Sequence, residues 1–157
     1  MSKKHVIEFF ENNNYKTDIV KLNDSSTVLK AANELKVTTN EIAKTLAFTL
    51  KNSTIVIIMS GDSKVNNKKY KDYFEEKASM VPADKVEALT NHPIGGVCPF
   101  GLKEGVKIYL DSSLRQLDNV YPAAGDFNLA LKISVNDLAK ITKGTWIDVT
   151  TANEGVK

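Results

Sequence analysis

The 157-residue sequence predicts one mixed domain of the α/β or α+β class, spanning residues 1–157. Hydrophobic spacing switches repeatedly between the helical period of 3.6 residues and the strand period of two. Two apolar segments, 46–50 and 54–59, are separated by only three residues, and this spacing predicts an antiparallel hairpin. Apolar residues make up 42% of the chain, which is enough for a single buried core. A hairpin placed between helical segments argues against a doubly wound parallel sheet.

The first third of the chain predicts helices on both sides of a strand. Apolar residues at helical spacing predict an amphipathic helix over 4–12 and a second helix over 27–35. Between them, residues 17–22 alternate like a strand. A further short helix, capped by Thr38 or Thr39, is predicted to run directly into the first strand of the hairpin.

The rest of the chain continues the same alternation, and one of its helices carries a proline in the first turn. It holds neither the G-x-G-x-x-G spacing of a dinucleotide site nor the G-x-x-x-x-G-K-[ST] pattern of a phosphate-binding loop. Helices are predicted over 67–77, 82–89 and 135–141, and strands over 106–110, 120–123, 129–133 and 146–149.

Composition is that of a soluble protein without an unusual charge balance. Charged residues make up 25% of the chain and the formal net charge is +2, so any contact with a nucleic acid is expected to be local. The single cysteine cannot form an internal disulfide, which indicates a reducing compartment. No apolar leader is apparent, and the longest apolar stretch, 54–59, is too short to span a bilayer. The sequence therefore predicts a cytoplasmic protein.

The most informative segment of the chain is the decapeptide over 92–101, which reads HPIGGVCPFG. It is neither a helix nor an ordinary strand, because proline lacks the backbone donor and glycine weakens both structures. Gly95 and Gly96 let backbone amides approach another group closely, while Pro93 and Pro99 limit the conformations that are lost on ordering. The segment is interpreted as a pocket wall made of main chain. The alternative is a tight connection between two elements.

Lys44 is the second candidate functional residue. The predicted short helix places it at a helix-to-strand junction among apolar neighbours, which include Ile42 and Leu46. A partly desolvated ammonium group has a lowered pKa and acts over short range. The alternative is a surface lysine whose stem lies along apolar residues.

Other catalytic chemistries find little support in the sequence. Zinc needs several histidine and cysteine ligands, and His5, His92 and Cys98 are the whole supply, so no metal site and no cofactor is predicted. His92 and Cys98 are close enough in sequence for a Cys–His nucleophile pair. No basic residue near Cys98 lowers its pKa, so it is interpreted as a small apolar wall of the pocket. His92 is interpreted as a hydrogen-bonding group that orients the loop.

A basic segment is the candidate for contact with an RNA backbone. Its lysines are interleaved with aromatic and amide side chains that can stack on bases or donate hydrogen bonds. Acidic residues follow at once, and mixed charges on a helix are also typical of a solvated face whose aromatic residues are buried on the other side. The candidate lysines are Lys64, Lys68, Lys69 and Lys71.

These segments together resemble the YbaK/EbsC family, which is related to the editing domain of bacterial prolyl-tRNA synthetases. The matching pieces occur in the same order at compatible spacings and cover nearly the whole chain. The resemblance is closer to the EbsC-like branch. The pieces are Ser26-Thr27-Val28 with Ala31-Ala32 and Leu35, Glu41-Ile42-Ala43-Lys44-Thr45-Leu46, Ser60-Gly61-Asp62, the 92–101 decapeptide, Tyr109-Leu110-Asp111 and Ala123-Ala124-Gly125-Asp126.

The resemblance implies a mixed, largely antiparallel sheet, curved into a partial barrel and packed by helices, with the pocket between the 92–101 loop and Lys44. It implies a deacylase that acts in trans and hydrolyses the ester of a mischarged aminoacyl-tRNA, either alone or with a synthetase partner. Amides around Gly95-Gly96-Val97 would hold the carbonyl or its oxyanion. Lys44 would orient the terminal ribose or phosphate and stabilise the transition state. Asp126 would bind the α-ammonium group.

One departure from the family leaves the substrate open. Some deacylases carry a tyrosine in the early strand near the site, and residues 19–22 contain none. Two other classes of function remain alternatives: a non-catalytic module that binds aminoacyl-tRNA or an amino-acid derivative, and a regulatory protein. Intact Lys44 and an intact glycine loop argue against a purely binding role.

Overall fold

The structure, a computed structural model, describes residues 2–152 and confirms the mixed α/β class. Its helices and strands alternate along the chain much as the hydrophobic spacing predicts. In chain order the elements are α1 (Ser2–Asn12), β1 (Val20–Lys21), α2 (Val28–Leu35), β2 (Ile42–Leu50), β3 (Ser53–Ser60), β4 (Ser63–Val65), α3 (Asn67–Phe74), α4 (Val86–Thr90), β5 (Lys107–Asp111), β6 (Asn119–Pro122), β7 (Leu129–Ala130), β8 (Ile133–Ser134), α5 (Val135–Thr142), β9 (Thr145–Ile147) and β10 (Thr150–Ala152).

The main sheet is a curled, six-stranded sheet with the strand order β8-β6-β2-β3-β5-β9. Its centre is the predicted hairpin, in which β2 and β3 pair antiparallel from Ala43–Ser60 to Leu50–Ser53. Lys51 and Asn52 form the two-residue connection with φ values of 48° and 66°. Positive φ at both positions is the signature of a type I′ turn, whose twist matches that of the flanking strands.

Parallel and antiparallel pairs are mixed, as predicted. β6 pairs with β2, β5 with β3, and β9 with β5, all in parallel. Four pairs are antiparallel: β2 with β3, β6 with β8, and the two small sheets formed by β1 with β7 and by β4 with β10. Over residues 2–152 antiparallel pairs are therefore the more numerous, although parallel pairs are the majority within the six-stranded sheet.

The outer edge of β2, the edge away from β3, has two different neighbours. Its first residues, Ile42 and Ala43, pair with β6. Its last residues pair with the segment 79–81: the Val81 amide donates to the Ala47 carbonyl at 3.0 Å, and the Thr49 amide donates to the Ser79 carbonyl at 2.8 Å. Between these two pairings, residues 44–46 have no neighbouring strand on this edge within residues 2–152. We call this interruption the strand gap.

Two apolar clusters on opposite faces of the hairpin hold the sheet in place. On one face α1 contributes Phe10, whose ring centroid lies 4.6 Å from that of Phe100. On the other face α3 contributes Tyr70, which lies 5.3 Å from Phe48. Burial of each of these large side chains stabilises the fold by roughly 1.5–3 kcal/mol. Within residues 2–152, no helix has the length and apolar composition needed to cross a bilayer.

The predicted helix before Lys44 is wrong. A single 3-10 turn, Thr39–Glu41, is followed directly by β2, so Lys44 is the third residue of a strand. The Glu41 carboxylate accepts from both the amide and the hydroxyl of Thr38 at 3.0 Å, an N-terminal cap that is the source of the helix signal in the sequence. From Ile42 onward, pairing with β3 and β6 satisfies the backbone better than another helical turn would.

Other element boundaries also differ from the predictions. The predicted strand 129–133 is two strands, because β7 pairs with β1 while β8 pairs with β6. The predicted helix 67–77 ends at Phe74, where Glu75 takes a left-handed conformation with φ of 61°. The predicted helix 82–89 is a 3-10 turn followed by α4. Only the short strand β1 forms within the predicted strand 17–22. The predicted strand 146–149 is replaced by two short strands, β9 and β10.

Candidate functional site

A cavity of about 540 Å³ opens over the strand gap. Its walls come from the start of α2, from residues 42–47 of β2, from the segment around Val81, from Ile94, Gly95 and Val97, and from Tyr121 of β6. Most of the lining is apolar. Among the lining residues in the described part of the chain, Lys44 is the one that carries a charge. The cavity therefore combines apolar walls with a single cation, the pattern expected of a small-molecule site.

The ammonium group of Lys44 is held by the loop that follows β3. Its Nζ donates to the Ser63 carbonyl at 2.5 Å and lies 3.4 Å from the Gly61 carbonyl. Burial lowers the pKa of Lys44, and the nearby carboxylate of Asp62 opposes part of that shift. An ammonium group has three donors, so one remains for a ligand after these two carbonyls. A fixed, partly desolvated cation of this kind can stabilise negative charge that develops during a reaction.

The glycine loop is shaped by a tight turn. The Gly96 amide donates to the Pro93 carbonyl at 3.0 Å, and Gly95 has a φ of 85°, as the third position of a type II turn requires. Gly96 serves a different purpose, because a Cβ at this position would lie 2.5 Å from the backbone of Asp126. One glycine therefore allows the turn, and the next allows two loops to meet closely.

Two amides of this loop are free to bind a ligand. Gly95 and Val97 both line the cavity, and their N–H groups find no acceptor within residues 2–152. The Gly96 amide, which the sequence prediction included among the donors, is used by the turn itself. The donors left for a carbonyl or an oxyanion are therefore those of Gly95 and Val97.

Comparison with known protein families agrees with this geometry. Residues 23–141 match the sequence model of the aminoacyl-tRNA editing domain. The chain belongs to this family. The resemblance to YbaK-type proteins that the sequence suggests is thereby confirmed.

Relatives of the editing domain occur both as separate proteins and as parts of larger ones. The uncharacterized protein YwhH of Bacillus subtilis is 38% identical over 152 residues, which cover 95% of this chain and 97% of YwhH. The proline–tRNA ligase of Latilactobacillus sakei is 25% identical over 133 residues, which cover 84% of this chain and 23% of the ligase. This chain therefore spans about a quarter of that ligase.

Solved structures share the fold over nearly the whole editing domain. The crystal structure of the hypothetical protein APE2540 matches with a TM-score of 0.85 and 27% identity, over 94% of this chain and 99% of that one. A protein described as a candidate trans-editing enzyme for prolyl-tRNA synthetase matches with a TM-score of 0.88 and 22% identity, over 96% of this chain and 98% of that one. The second likeness is evidence for the fold alone.

His92 and Cys98 of the editing domain do not line the cavity, and both are fully buried. The Nε2–H of His92 donates to the Phe100 carbonyl at 2.7 Å, and its Nδ1 accepts from the Ser2 hydroxyl. Because a carbonyl can only accept, Nε2 carries the proton and has no lone pair for the thiol 3.6 Å away. Burial raises the pKa of Cys98 to about 12. This arrangement stabilises the loop and disfavours a nucleophilic thiolate.

The buried His92 is expected to make the protein less stable in acid. Burial lowers its pKa from 6.5 to about 4, so between these values the unfolded chain binds a proton that the folded chain excludes. Stability that is present above pH 6.5 is therefore lost as the pH falls toward 4, by about 3 kcal/mol. Urea unfolding across this range measures the loss. His92→Gln keeps a donor for the Phe100 carbonyl without titrating, and its profile should be flatter; equal slopes would contradict this role.

The remaining predicted binding residues support the glycine loop from outside the cavity. Pro99 is buried and does not line it. Asp126 packs its backbone against Gly96, and its Oδ1 accepts from the Phe127 amide at 2.8 Å. The structure therefore brings Lys44, Gly95 and Val97 to one cavity and places the Asp126 carboxylate in an ordinary turn outside it.

The basic segment lies on β4 and α3 beside the loop that holds Lys44. Lys68 pairs with Asp72 at 2.8 Å, and Lys69 donates to the Thr150 carbonyl at 2.9 Å. Lys64 and Lys71 are exposed. Tyr70 and Phe74 are buried, so the aromatic residues at these two positions belong to the core, as the alternative interpretation expected, whereas Tyr73 is 49% exposed.

Thr45 is a cavity residue that the sequence analysis missed. It is 9% exposed, lines the cavity, and its hydroxyl oxygen has no hydrogen-bond partner within residues 2–152. In the sequence it looks like any threonine within an apolar strand. Only the interruption of pairing beside β2 distinguishes it. That interruption depends on the segment 79–81 and on β6, which lie 34 to 77 positions further along the chain.

Proposed function

We propose that this editing domain is a trans-acting aminoacyl-tRNA deacylase that works in the cytoplasm and removes wrongly attached amino acids from tRNA. The observation that carries the proposal is one cavity lined by Lys44 and by Gly95 and Val97, whose amides find no acceptor within residues 2–152. The family membership supports the same activity class.

Ester hydrolysis requires the protein mainly to position the reacting groups and to stabilise the charge that develops. An aminoacyl ester is already activated, so water or the neighbouring ribose hydroxyl can attack its carbonyl once the two are held together. The amides of Gly95 and Val97 would donate to the oxyanion, and Lys44 would stabilise it through its charge or orient the terminal ribose or phosphate. Lys44 is not a covalent nucleophile in this proposal, and Cys98 is a packing residue.

The lining also bears on which amino acids are accepted. A cationic side chain would find no carboxylate among the lining residues of the described chain, and it would meet the Lys44 charge. Apolar walls formed by residues such as Val28, Val81 and Val97 favour small uncharged side chains. Discrimination between side chains that differ by one methylene would amount to only about 1–3 kcal/mol.

The test is a panel of aminoacylated tRNAs incubated with the purified protein, with and without the cognate synthetase, and scored for loss of the ester. We expect the protein to hydrolyse a defined subset of these aminoacylated tRNAs. The Lys44→Met variant, which keeps the apolar stem and removes the ammonium, should leave the same subset intact. Tight binding without ester loss for every member of the panel would contradict the deacylase and support the binding-module alternative with a regulatory role.

The basic segment is expected to contribute to RNA binding and not to the chemical step. Replacing Lys64, Lys68, Lys69 and Lys71 together by glutamate should weaken tRNA binding and flatten its dependence on salt, since fewer counterions are released on association. Turnover at saturating tRNA should change little, because these contacts position the acceptor end. Dissociation constants measured across a salt series check this.

The control for the basic segment is a set of basic residues that follow the glycine loop in the sequence. These residues are Lys103, Lys107 and Arg115. A triple glutamate variant of these residues should keep the wild-type salt slope. If the salt dependence of binding were unchanged in the variant of the basic segment and flattened in the triple variant, the RNA would contact Lys103, Lys107 and Arg115 instead.

A further inference from the structure

Exposed apolar side chains border the mouth of the cavity. Met80 and Ile94 line the cavity, although they are 56% and 58% exposed. A lining residue that is mostly exposed lies where the cavity opens to solvent. Single exposed apolar side chains are ordinary on a protein surface, whereas several at the opening of one site indicate a contact with a ligand or a partner.

Phe127 lies at the same opening. A Cβ at Gly95 would be 3.3 Å from the Cβ atoms of both Phe127 and Ser26, and Gly95 and Ser26 line the cavity. Ser26 is exposed, and Phe127 is 45% exposed. Phe127 therefore borders the mouth, although it is not itself a lining residue. We call Met80, Ile94 and Phe127 the apolar rim.

Hydrogen bonds fix the backbone of Phe127 while the residue stays partly exposed. Its amide donates to Oδ1 of Asp126 at 2.8 Å. Its carbonyl accepts from the Ser25 amide at 2.5 Å and from the Ser25 hydroxyl at 2.7 Å. Because the main chain is already ordered, the ring can bind a flat group at a small further cost in conformational entropy.

The apolar rim lies where RNA would leave the site. In the proposed function the amino-acid ester is held inside the cavity, so the terminal ribose enters with it and the preceding nucleotide lies at the mouth. The 3′ end of tRNA is single-stranded, and its unpaired bases are free to stack. Aromatic side chains bind unpaired bases through their faces, with little dependence on sequence. A phenylalanine flanked by two further apolar side chains matches this requirement.

We propose that Phe127 stacks on the base of the nucleotide that precedes the terminal adenosine of tRNA, with Met80 and Ile94 packing against the same base. This base is a cytosine in every tRNA, since all of them end in CCA. Stacking therefore holds the acceptor end without distinguishing one tRNA from another. The inference rests on the proposed function for the path of the RNA, but the stacking itself does not require ester hydrolysis.

A protein partner is the other class of occupant for an exposed apolar surface. Stable protein interfaces engage roughly 20–30 residues on each side. The apolar rim consists of three side chains at one opening, which is enough for a single base and much less than a synthetase would need. Its size therefore favours a nucleotide.

The first experiment is a double-mutant cycle between the protein and the RNA. Dissociation constants are measured for an unacylated hairpin that ends in CCA and for the same hairpin with an abasic ribose before the terminal adenosine. The wild type should bind the abasic hairpin roughly fivefold or more weakly. Phe127→Ala should bind the complete hairpin with a similar loss and should not distinguish the two RNAs. If the abasic ribose weakens binding to both proteins by the same factor, the two effects are independent and the proposal is overturned.

The second experiment separates the aromatic ring from apolar bulk, using the complete hairpin. Phe127→Tyr should keep the wild-type affinity, whereas Phe127→Leu should lose most of the affinity that Phe127→Ala loses. Ile7→Ala is the control and should bind like the wild type, because Ile7 is 38% exposed on α1 and does not line the cavity. Thermal unfolding verifies that each variant is folded. Wild-type affinity in Phe127→Leu would overturn the stacking.

Asp126 is a positioning residue in this arrangement, because its carboxylate fixes the Phe127 amide. Asp126→Ala should weaken binding of the complete hairpin roughly two- to fivefold, as expected for one lost hydrogen bond. It should have no further effect in a protein that already carries Phe127→Ala. Asp126→Asn keeps an oxygen acceptor and should restore binding. A loss for Asp126→Asn equal to that for Asp126→Ala would contradict this role.

The last experiment separates this inference from the proposed function. Without a synthetase, Phe127→Ala should lower kcat/KM roughly fivefold or more for an aminoacylated hairpin ending in CCA, mainly through KM. Hydrolysis of aminoacyl-adenosine, which lacks the preceding nucleotide, should be unchanged. If neither ester is hydrolysed while the hairpin cycle holds, the proposed function fails and the stacking remains. Equal losses with both substrates would overturn the stacking, and a loss that requires a synthetase would overturn it in favour of a protein partner.

Discussion

Replacing Lys44 by alanine is expected to lower kcat/KM for ester hydrolysis by at least about 10²-fold, the order of the loss when one transition-state contact is removed. The loss should appear mainly in kcat, because the proposed contact strengthens as negative charge develops on the carbonyl oxygen. Single-turnover hydrolysis of the preferred aminoacyl-tRNA measures it. Near wild-type turnover would remove Lys44 from the mechanism.

Two further variants separate the charge of Lys44 from its structural contacts. The ammonium also donates to the Ser63 carbonyl, so its removal leaves a backbone acceptor unpaired and is expected to cost some stability. Lys44→Met keeps the apolar stem and should lose as much activity as alanine if the charge matters. Lys64→Ala removes an exposed lysine from β4 and should leave kcat unchanged. Thermal unfolding confirms that each variant remains folded.

Substituting Gly96 by alanine is expected to reduce activity by about tenfold or more and to destabilise the protein by about 1–3 kcal/mol. The new Cβ would lie 2.5 Å from the Asp126 backbone, so one of the two loops must move. That movement displaces the amides of Gly95 and Val97, and a shift of about 1 Å in a positioning group can cost 10²-fold in rate. Denaturant unfolding and single-turnover kinetics measure the two effects.

Gly105 provides the control for this loop substitution. It has a φ of 94°, and a Cβ there would meet no atom within 4 Å. Gly105→Ala therefore tests the conformational penalty of losing a glycine without any collision, and it should cost about 1 kcal/mol with activity intact. If Gly96→Ala behaved in the same way, close approach of the two loops would not be what positions the amides.

Much of the candidate site could be located from the sequence, because its parts are local. The two glycines between prolines require a shaped loop whatever surrounds them, and Lys44 is a charged residue within an apolar segment. The prediction of a helix before Lys44 is wrong because the strand partners that compete with it are distant in sequence. Ala43 pairs with Ser60, 17 residues later in the chain, and with Pro122, 79 residues later. Local helix signals give no information about such partners.

The remaining features could not be read from the chain for the same physical reason. Thr45 is distinctive only because β6 stops beside Ala43 and another segment begins beside Ala47. The role of His92 depends on Ser2, which is 90 residues away. The resemblance to the family implies that Asp126 binds the substrate, yet its carboxylate accepts from the amide of Phe127 in its own turn.

The packing of α1 determines how freely the glycine loop can move. Phe10 lies against Phe100, the backbone of His5 leaves no space for a side chain at Gly101, and Ser2 bonds to His92. The loop cannot open without separating from the first helix, so its conformational entropy is lost when the domain folds and not when a ligand arrives. The two free amides are thus already ordered in the empty protein, and little reorganisation remains for the moment of reaction.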